Sequence, residues 1–300
     1  MPPPYQPAGV CIYCGTKRYS IDRNKLGAEH IVPYCLDGEE ILPEASCKKC
    51  EGKTGGVEQH LFGDHGHYRA ARVVAGCDSR EKGDKAVPLY LSPTFEKGKP
   101  TGGQRVDLPP NQSGPRYVSL VILSNRPAVL KGVTDISGEA AYPGVELFFT
   151  DLARPAGEPS SYGLPHFSPP GMDLVKFFRF LAKVAHAHAA AELGLDGFRP
   201  LLTDLIRGKE AQMPWGLFGH HNDGFFPGGN FQGPYHVRHS VQSVGDTDYV
   251  VVDIGILFKA PGFPRYSVVA GTIDRTAHQI REVERERDQG LGDGTPSDDR

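Results

Sequence analysis

Glu29 and His30 stand side by side between two cysteine pairs, Cys11-Ile12-Tyr13-Cys14 and Cys47-Lys48-Lys49-Cys50. A carboxylate beside an imidazole suits hydrolysis. The carboxylate can hold a hard divalent cation, and the imidazole can take a proton from water near neutral pH. Each C-x2-C places two thiolates where a single metal can take both, and two such pairs complete the tetrahedral shell of a structural zinc ion. That shell has no open position. Cys11, Cys14, Cys47 and Cys50 are therefore read as a structural Zn2+ site, and the chemistry falls to Glu29 and His30. Cys35 and Cys77 are expected to stay outside the cluster.

Other uses of the cysteines fit less well. A redox C-x2-C opens a helix after a strand, whereas Cys11 follows a proline-rich start. Six cysteines in 300 residues do not make a disulfide scaffold, and Met1-Pro2-Pro3-Pro4 is not a secretion signal. The 32 residues between Cys14 and Cys47 leave room for a β-hairpin. Successive residues of a strand point to opposite faces. Glu29 and His30 can thus serve one site only near a bend or strand end, which Pro33 and the approach to Gly38 supply. A helix should follow Cys50. Glu51-Gly52-Lys53-Thr54-Gly55-Gly56 is a poor start for it, since each interior glycine costs ~1 kcal/mol relative to alanine. The helix should firm up at Val57–Phe62.

The order of these residues resembles the HNH, or ββα-metal, endonucleases in their four-cysteine zinc variant. The resemblance is carried by Cys11 and Cys14, then Glu29-His30-Ile31-Val32-Pro33-Tyr34-Cys35-Leu36-Asp37-Gly38, then Leu42-Pro43-Glu44-Ala45-Ser46-Cys47-Lys48-Lys49-Cys50. It covers roughly residues 8–65. It implies that His30 is the general base for an attacking water and that Glu29 ligates a catalytic divalent metal, Mg2+ or similar. The family's last ligand position falls on Glu51, with Glu58 and His60 as competing candidates. The family's middle Asn, which orients the histidine, falls near Glu39 or Glu40, and this chain has no Asn there. Glu29 and His30 should open onto a common concave surface with an acid or histidine of the following helix. Asp64, His65 and His67 are either further ligands or solvated, nucleic-acid-facing residues.

Bulk properties set limits. The net charge is −3, and residues 1–80 carry ten Lys/Arg and ten Asp/Glu, so a DNA-binding reading cannot rest on charge. Lys17-Arg18, Lys48-Lys49 and Lys53 can still form a local basic rim. No apolar run approaches the ~20 residues of a membrane span, so no membrane partner is expected and the cytoplasm is the expected location. The 37 Gly and 26 Pro announce many loops.

The fold class expected is α+β: a small N-terminal zinc-bound ββα-metal module over residues 1–77, then a mixed α+β domain over 116–272. Residues 78–115 read as a connector with one short strand at Val87–Leu91, and 273–300 as a charged, partly disordered tail. In the second domain, Tyr117–Leu123 and Val145–Phe149 read as strands. Asp173 caps a helix that Gly194 stops, and Val175, Phe178, Ala182 and Ala185 form its core stripe. His186 and His188 within it read as structural. A shorter helix follows at 200–206, and Tyr235–Val244 with Tyr249–Phe258 read as a hairpin, with a strand at Tyr266–Ala270. His220, His221 and Asp223 lie in a Gly-rich loop and serve either phosphate or metal contacts or an ordinary surface turn. The functional expectation is a metal-dependent endonuclease acting on nucleic acid, with DNA the expected substrate. The alternative is a zinc-stabilised nucleic-acid- or protein-binding module without catalysis.

Overall fold

The computed structural model describes residues 5–63, 67–75, 77, 87–91, 94–96, 99–101, 104–108, 117–151, 172–220, 235–257 and 264–273. It is a mixed α+β fold with the cysteine cluster in its N-terminal part.

The N-terminal part starts with a turn at Cys11–Gly15, where the Cys14 and Gly15 amides donate to the Cys11 carbonyl. Strand β1 (Gly27–His30) pairs antiparallel with β2 (Ile41–Ser46), and helix α1 (Lys48–Phe62) follows at once. The hairpin is irregular. From Gly27↔Ser46 to Glu29↔Leu42, β2 advances four residues while β1 advances two. Glu44 takes up the excess in the left-handed region, at φ 49. This bulge lies just before the Glu29-His30 pair that ends β1. The loop between the strands closes tightly. A Cβ on Gly38 would meet the Val32 carbonyl oxygen at 1.9 Å, so only glycine fits. Helix α1 forms despite three exposed glycines because its ends are anchored: Cys47 and Cys50 in the cysteine cluster, Leu61 and Phe62 in the core. A short α2 (Arg69–Val74) follows. Its Arg72, buried, donates to the carbonyls of Cys35 and Phe62, tying the hairpin loop to the end of α1.

The stretch expected to be a connector holds four strands in two antiparallel pairs. β3 (Val87–Leu91) pairs with β6 (Gln104–Leu108), and β4 (Thr94–Glu96) pairs with β5 (Lys99–Thr101). A further hairpin joins β7 (Tyr117–Leu123) to β8 (Val145–Asp151).

Helix α3 (Leu174–Leu193) is the axis of the molecule. The Asp173 carboxylate accepts the Lys176 amide as its cap, and Gly194, at φ 72, ends it. Every residue from Phe180 to Ala190 is buried, not merely one stripe. A helix apolar on all sides belongs in the middle of a protein. On one side lies a five-stranded antiparallel sheet in the order β10 (Phe218–His220), β13 (Arg265–Ile273), β12 (Thr247–Ile256), β11 (Tyr235–Val244), with β9 (Arg199–Pro200) also on β13. On the other side α3 packs on α1 and on α4 (Thr203–Arg207). Phe180 meets Phe62 of α1 edge-on at 4.9 Å, and Phe177 meets Tyr266 of the sheet at 5.3 Å. One continuous apolar core therefore joins the N-terminal part to the rest. Val175, expected in the core stripe, is 38% exposed because it precedes the point where α3 enters the core. The segment 274–300 lies outside the described residues, as do Asp64, His65, His221 and Asp223.

Candidate functional site: a cysteine corner and a buried Lys183 cluster

The Sγ atoms of Cys11, Cys14, Cys47 and Cys50 lie within 4.8 Å of one another. The two pairs reach this corner by different local means: one through the turn after Cys11, the other because Cys47 caps α1 and Cys50 sits in its first turn. Cys14 and Cys47 are 3.7 Å apart. The thiols share protons unevenly. The hydrogen bond from Cys50 pulls the Cys11 thiol down to about 5, whereas the same contact, with burial, pushes Cys50 up. Four sulfurs at this spacing, one already inclined to thiolate, fit a structural zinc ion. Cys35 and Cys77 form no disulfide and lie outside the group, as the spacing predicts. Among the described residues, no other set of three or more ligand-type side chains converges on a point.

The second constellation is built around a residue the sequence reading passed over. Lys183, from the middle of α3, is 2% exposed. Its ammonium lies 2.9 Å from Glu29 Oε1 and 3.0 Å from Glu58 Oε1, and it also donates to the carbonyls of His30 and Ile31. Burial would drive this lysine toward its neutral form. The charges of Glu58 and Glu29 outweigh that and raise its pKa above the ordinary lysine range, so it stays protonated. Burial pushes the Glu58 carboxyl up, and Lys183 opposes the shift. Tyr13, buried beside Glu29, is raised well above an ordinary tyrosine, chiefly by burial and then by that carboxylate. His186, one turn after Lys183, donates Nε2–H to the Ile12 carbonyl at 2.7 Å, and burial pushes it down to about 4.

The four cysteines and Glu29 fall in these two places, and the other expected site residues scatter. Glu29 turns inward and is 5% exposed. His30, at the strand end, keeps part of its surface, and its ring meets Tyr34 edge-on at 5.8 Å. Its Nδ1 is buried without a hydrogen-bond partner among the described residues. The α1 carboxylate that shares a partner with Glu29 is Glu58, which also lies close enough to His30 to feel its charge. Glu51 turns instead toward Tyr19 and Gly27. His60 accepts from Lys176 through Nδ1 at 3.2 Å, and His67 stacks edge-on against Tyr68. His188 contacts His239 at 3.4 Å and is pushed down to about 4 by burial, a structural setting as expected.

One sequence signal could have found Lys183. It is the single Lys, Arg, Asp or Glu between Arg179 and Glu192 in an otherwise apolar helix. A charge in such a place is retained only with partners.

A divalent metal shared by Glu29 and Glu58 would need the place that the Lys183 ammonium takes between them. With Lys183 protonated, the charge such an ion would bring is already supplied, so the fit for a metal at this point is poor. No family model matches the chain, and neither a curated protein nor a solved structure does. Among the described residues, no helix is long and apolar enough to cross a membrane.

Proposed function

We propose that the chain is an HNH-type endonuclease that hydrolyses phosphodiester bonds in nucleic acid, DNA being the expected substrate. The observation that carries this reading is the local order: a zinc-type cysteine corner, hairpin β1–β2, then α1, with Glu29-His30 ending β1 and Glu58 brought beside it from α1. His30, the partly exposed member, takes a proton from the attacking water. Lys183 does not touch substrate. It donates to the His30 carbonyl and fixes the strand end, which makes it a positioning residue. The resemblance implies a divalent metal on the scissile phosphate. Glu29 and Glu58 are committed to Lys183, so no step is routed through a metal they would hold.

A second reading has its own support. Glu29 is paired with Lys183, and His30 Nδ1 has no orienting partner among the described residues. Both fit a zinc-stabilised nucleic-acid-binding module without catalysis. Nicking of supercoiled plasmid, with and without added Mg2+, separates the two. On the nuclease reading wild type nicks, and His30→Ala lowers the rate by roughly 100-fold or more while leaving the melting temperature in place. Failure of wild type to nick under any divalent metal leaves the binding module standing.

A further inference from the structure

The flank of α1 away from Glu58 borders a groove of about 550 Å3 over the cysteine corner. At about 100° per residue, Lys49 and Lys53 lie about 140–180° around the helix from Glu58. The groove is walled by the start of α1, the loop through Thr16–Ile21 and the end of α4. Arg18, Lys49, Lys53, Arg207 and Lys209 line it, and among the described residues no Asp or Glu does.

This is a local separation of charge in a chain whose net charge is −3 and whose first 80 residues are formally neutral. Compensation of the metal corner does not account for it. A zinc ion with four thiolates carries two negative charges, against five cations in the groove. Glu51, which reaches the groove wall through Tyr19, offsets one more. An excess of two positive charges remains. The groove is also held open as a built feature. Lys53 donates to the Arg207 carbonyl and ties α4 to α1. Gly208, at φ 63, turns the chain so that Lys209 returns to the same wall.

We propose that this groove binds the phosphodiester backbone of a nucleic acid. The choice of ligand rests on the nuclease reading, while the groove itself does not. A row of cations with no carboxylate among the lining residues reads phosphate charge without reading bases. Because His30 does not line it, the groove holds substrate and takes no part in bond breaking.

The test is fluorescence anisotropy on the full chain with its zinc, no other divalent metal added, and a labelled DNA duplex of about 20 base pairs. Lys49→Glu/Lys209→Glu should bind on the order of tenfold more weakly at about 0.1 M salt, and the slope of log K against log salt should shrink by about two. Lys131→Glu, an exposed charge reversal outside the groove, should match wild type. If the double variant disturbs the fold, Lys209→Glu alone, outside the helices and the cysteine turn, should weaken binding and lower the slope by about one. Unchanged affinity and slope, or an equal loss in Lys131→Glu, overturns the proposal. Weakened binding in a protein that never nicks leaves the groove and removes the nuclease. Nicking through His30 with unaltered binding in the groove variants does the reverse.

Discussion

The cysteine corner and the Lys183 cluster are polar knots set into the same core, yet they are assembled by opposite routes. The corner takes all its ligands from the first fifty residues, and two short C-x2-C turns do most of the positioning. The cluster joins Glu29 of β1 and Glu58 of α1 to a lysine more than 120 residues further along, delivered by a helix buried on all sides. The cysteine corner can form within the first fifty residues, once the hairpin between its two turns has closed. The Lys183 cluster exists only once α3 has docked on α1. The first is a local staple, and the second is a lock between the N-terminal part and the rest.

Removal of the metal should have the largest effect. Structural zinc contributes roughly 10–16 kcal/mol in small modules, which matches or exceeds the ~5–15 kcal/mol stability of a whole domain. Cys47→Ser or strong chelation should therefore unfold the N-terminal part. Metal analysis should find one zinc per chain in wild type and none in the variant, with a large drop in melting temperature. A variant that melts like wild type would remove zinc from the account.

Breaking the lock should come next. Lys183→Met leaves Glu29 and Glu58 buried without their cation, at a cost of roughly 3–5 kcal/mol, read by urea unfolding. Adding Glu29→Gln and Glu58→Gln to that variant should recover most of the loss, since neutral amides need no cation. An additive, rescue-free result would show that the three side chains are not coupled. The raised pKa of Lys183 keeps this contribution intact through neutral pH, and it fades only in strong alkali as the lysine deprotonates.

Acid should weaken the same region through His186. Its folded pKa is depressed to about 4 from 6.5, so between those values the unfolded chain binds the extra proton. Stability rises with pH across that window and falls as pH drops from about 6.5 toward 4, by up to about 3 kcal/mol. His186→Gln should flatten this part of the stability–pH curve. A curve identical to wild type would mean that burial of His186 is not what makes acid destabilising.

The smallest effect belongs to the helix both knots share. Gly55 in α1 is exposed, and a Cβ there would meet nothing within 4 Å. Gly55→Ala should therefore stabilise the protein by up to about 1 kcal/mol in thermal or urea unfolding. Destabilisation would instead mean that α1 needs its glycines.

Much of this was legible in the sequence because it is written in local patterns. The C-x2-C spacing found the cysteine corner, Asp173 and Gly194 bounded α3, and the runs at Tyr117–Leu123 and Tyr235–Val244 marked strands. Within residues 78–115 only the strand at Val87–Leu91 was legible, because the turn-rich sequence between β3 and β6 hides short strands whose pairing supplies the regularity. The Glu29-His30 pair was visible, but its electrostatic setting was not. Short-range spacing specifies turns, caps and each C-x2-C pair, because those interactions close within a few residues, and the hairpin between the pairs brings them together. Which carboxylate meets Glu29, why Glu29 is buried and how five cations gather on one groove were decided only by the docking of α3 and α4 on α1. Burial of a charge depends on what the rest of the chain brings to it, and no local pattern encodes that.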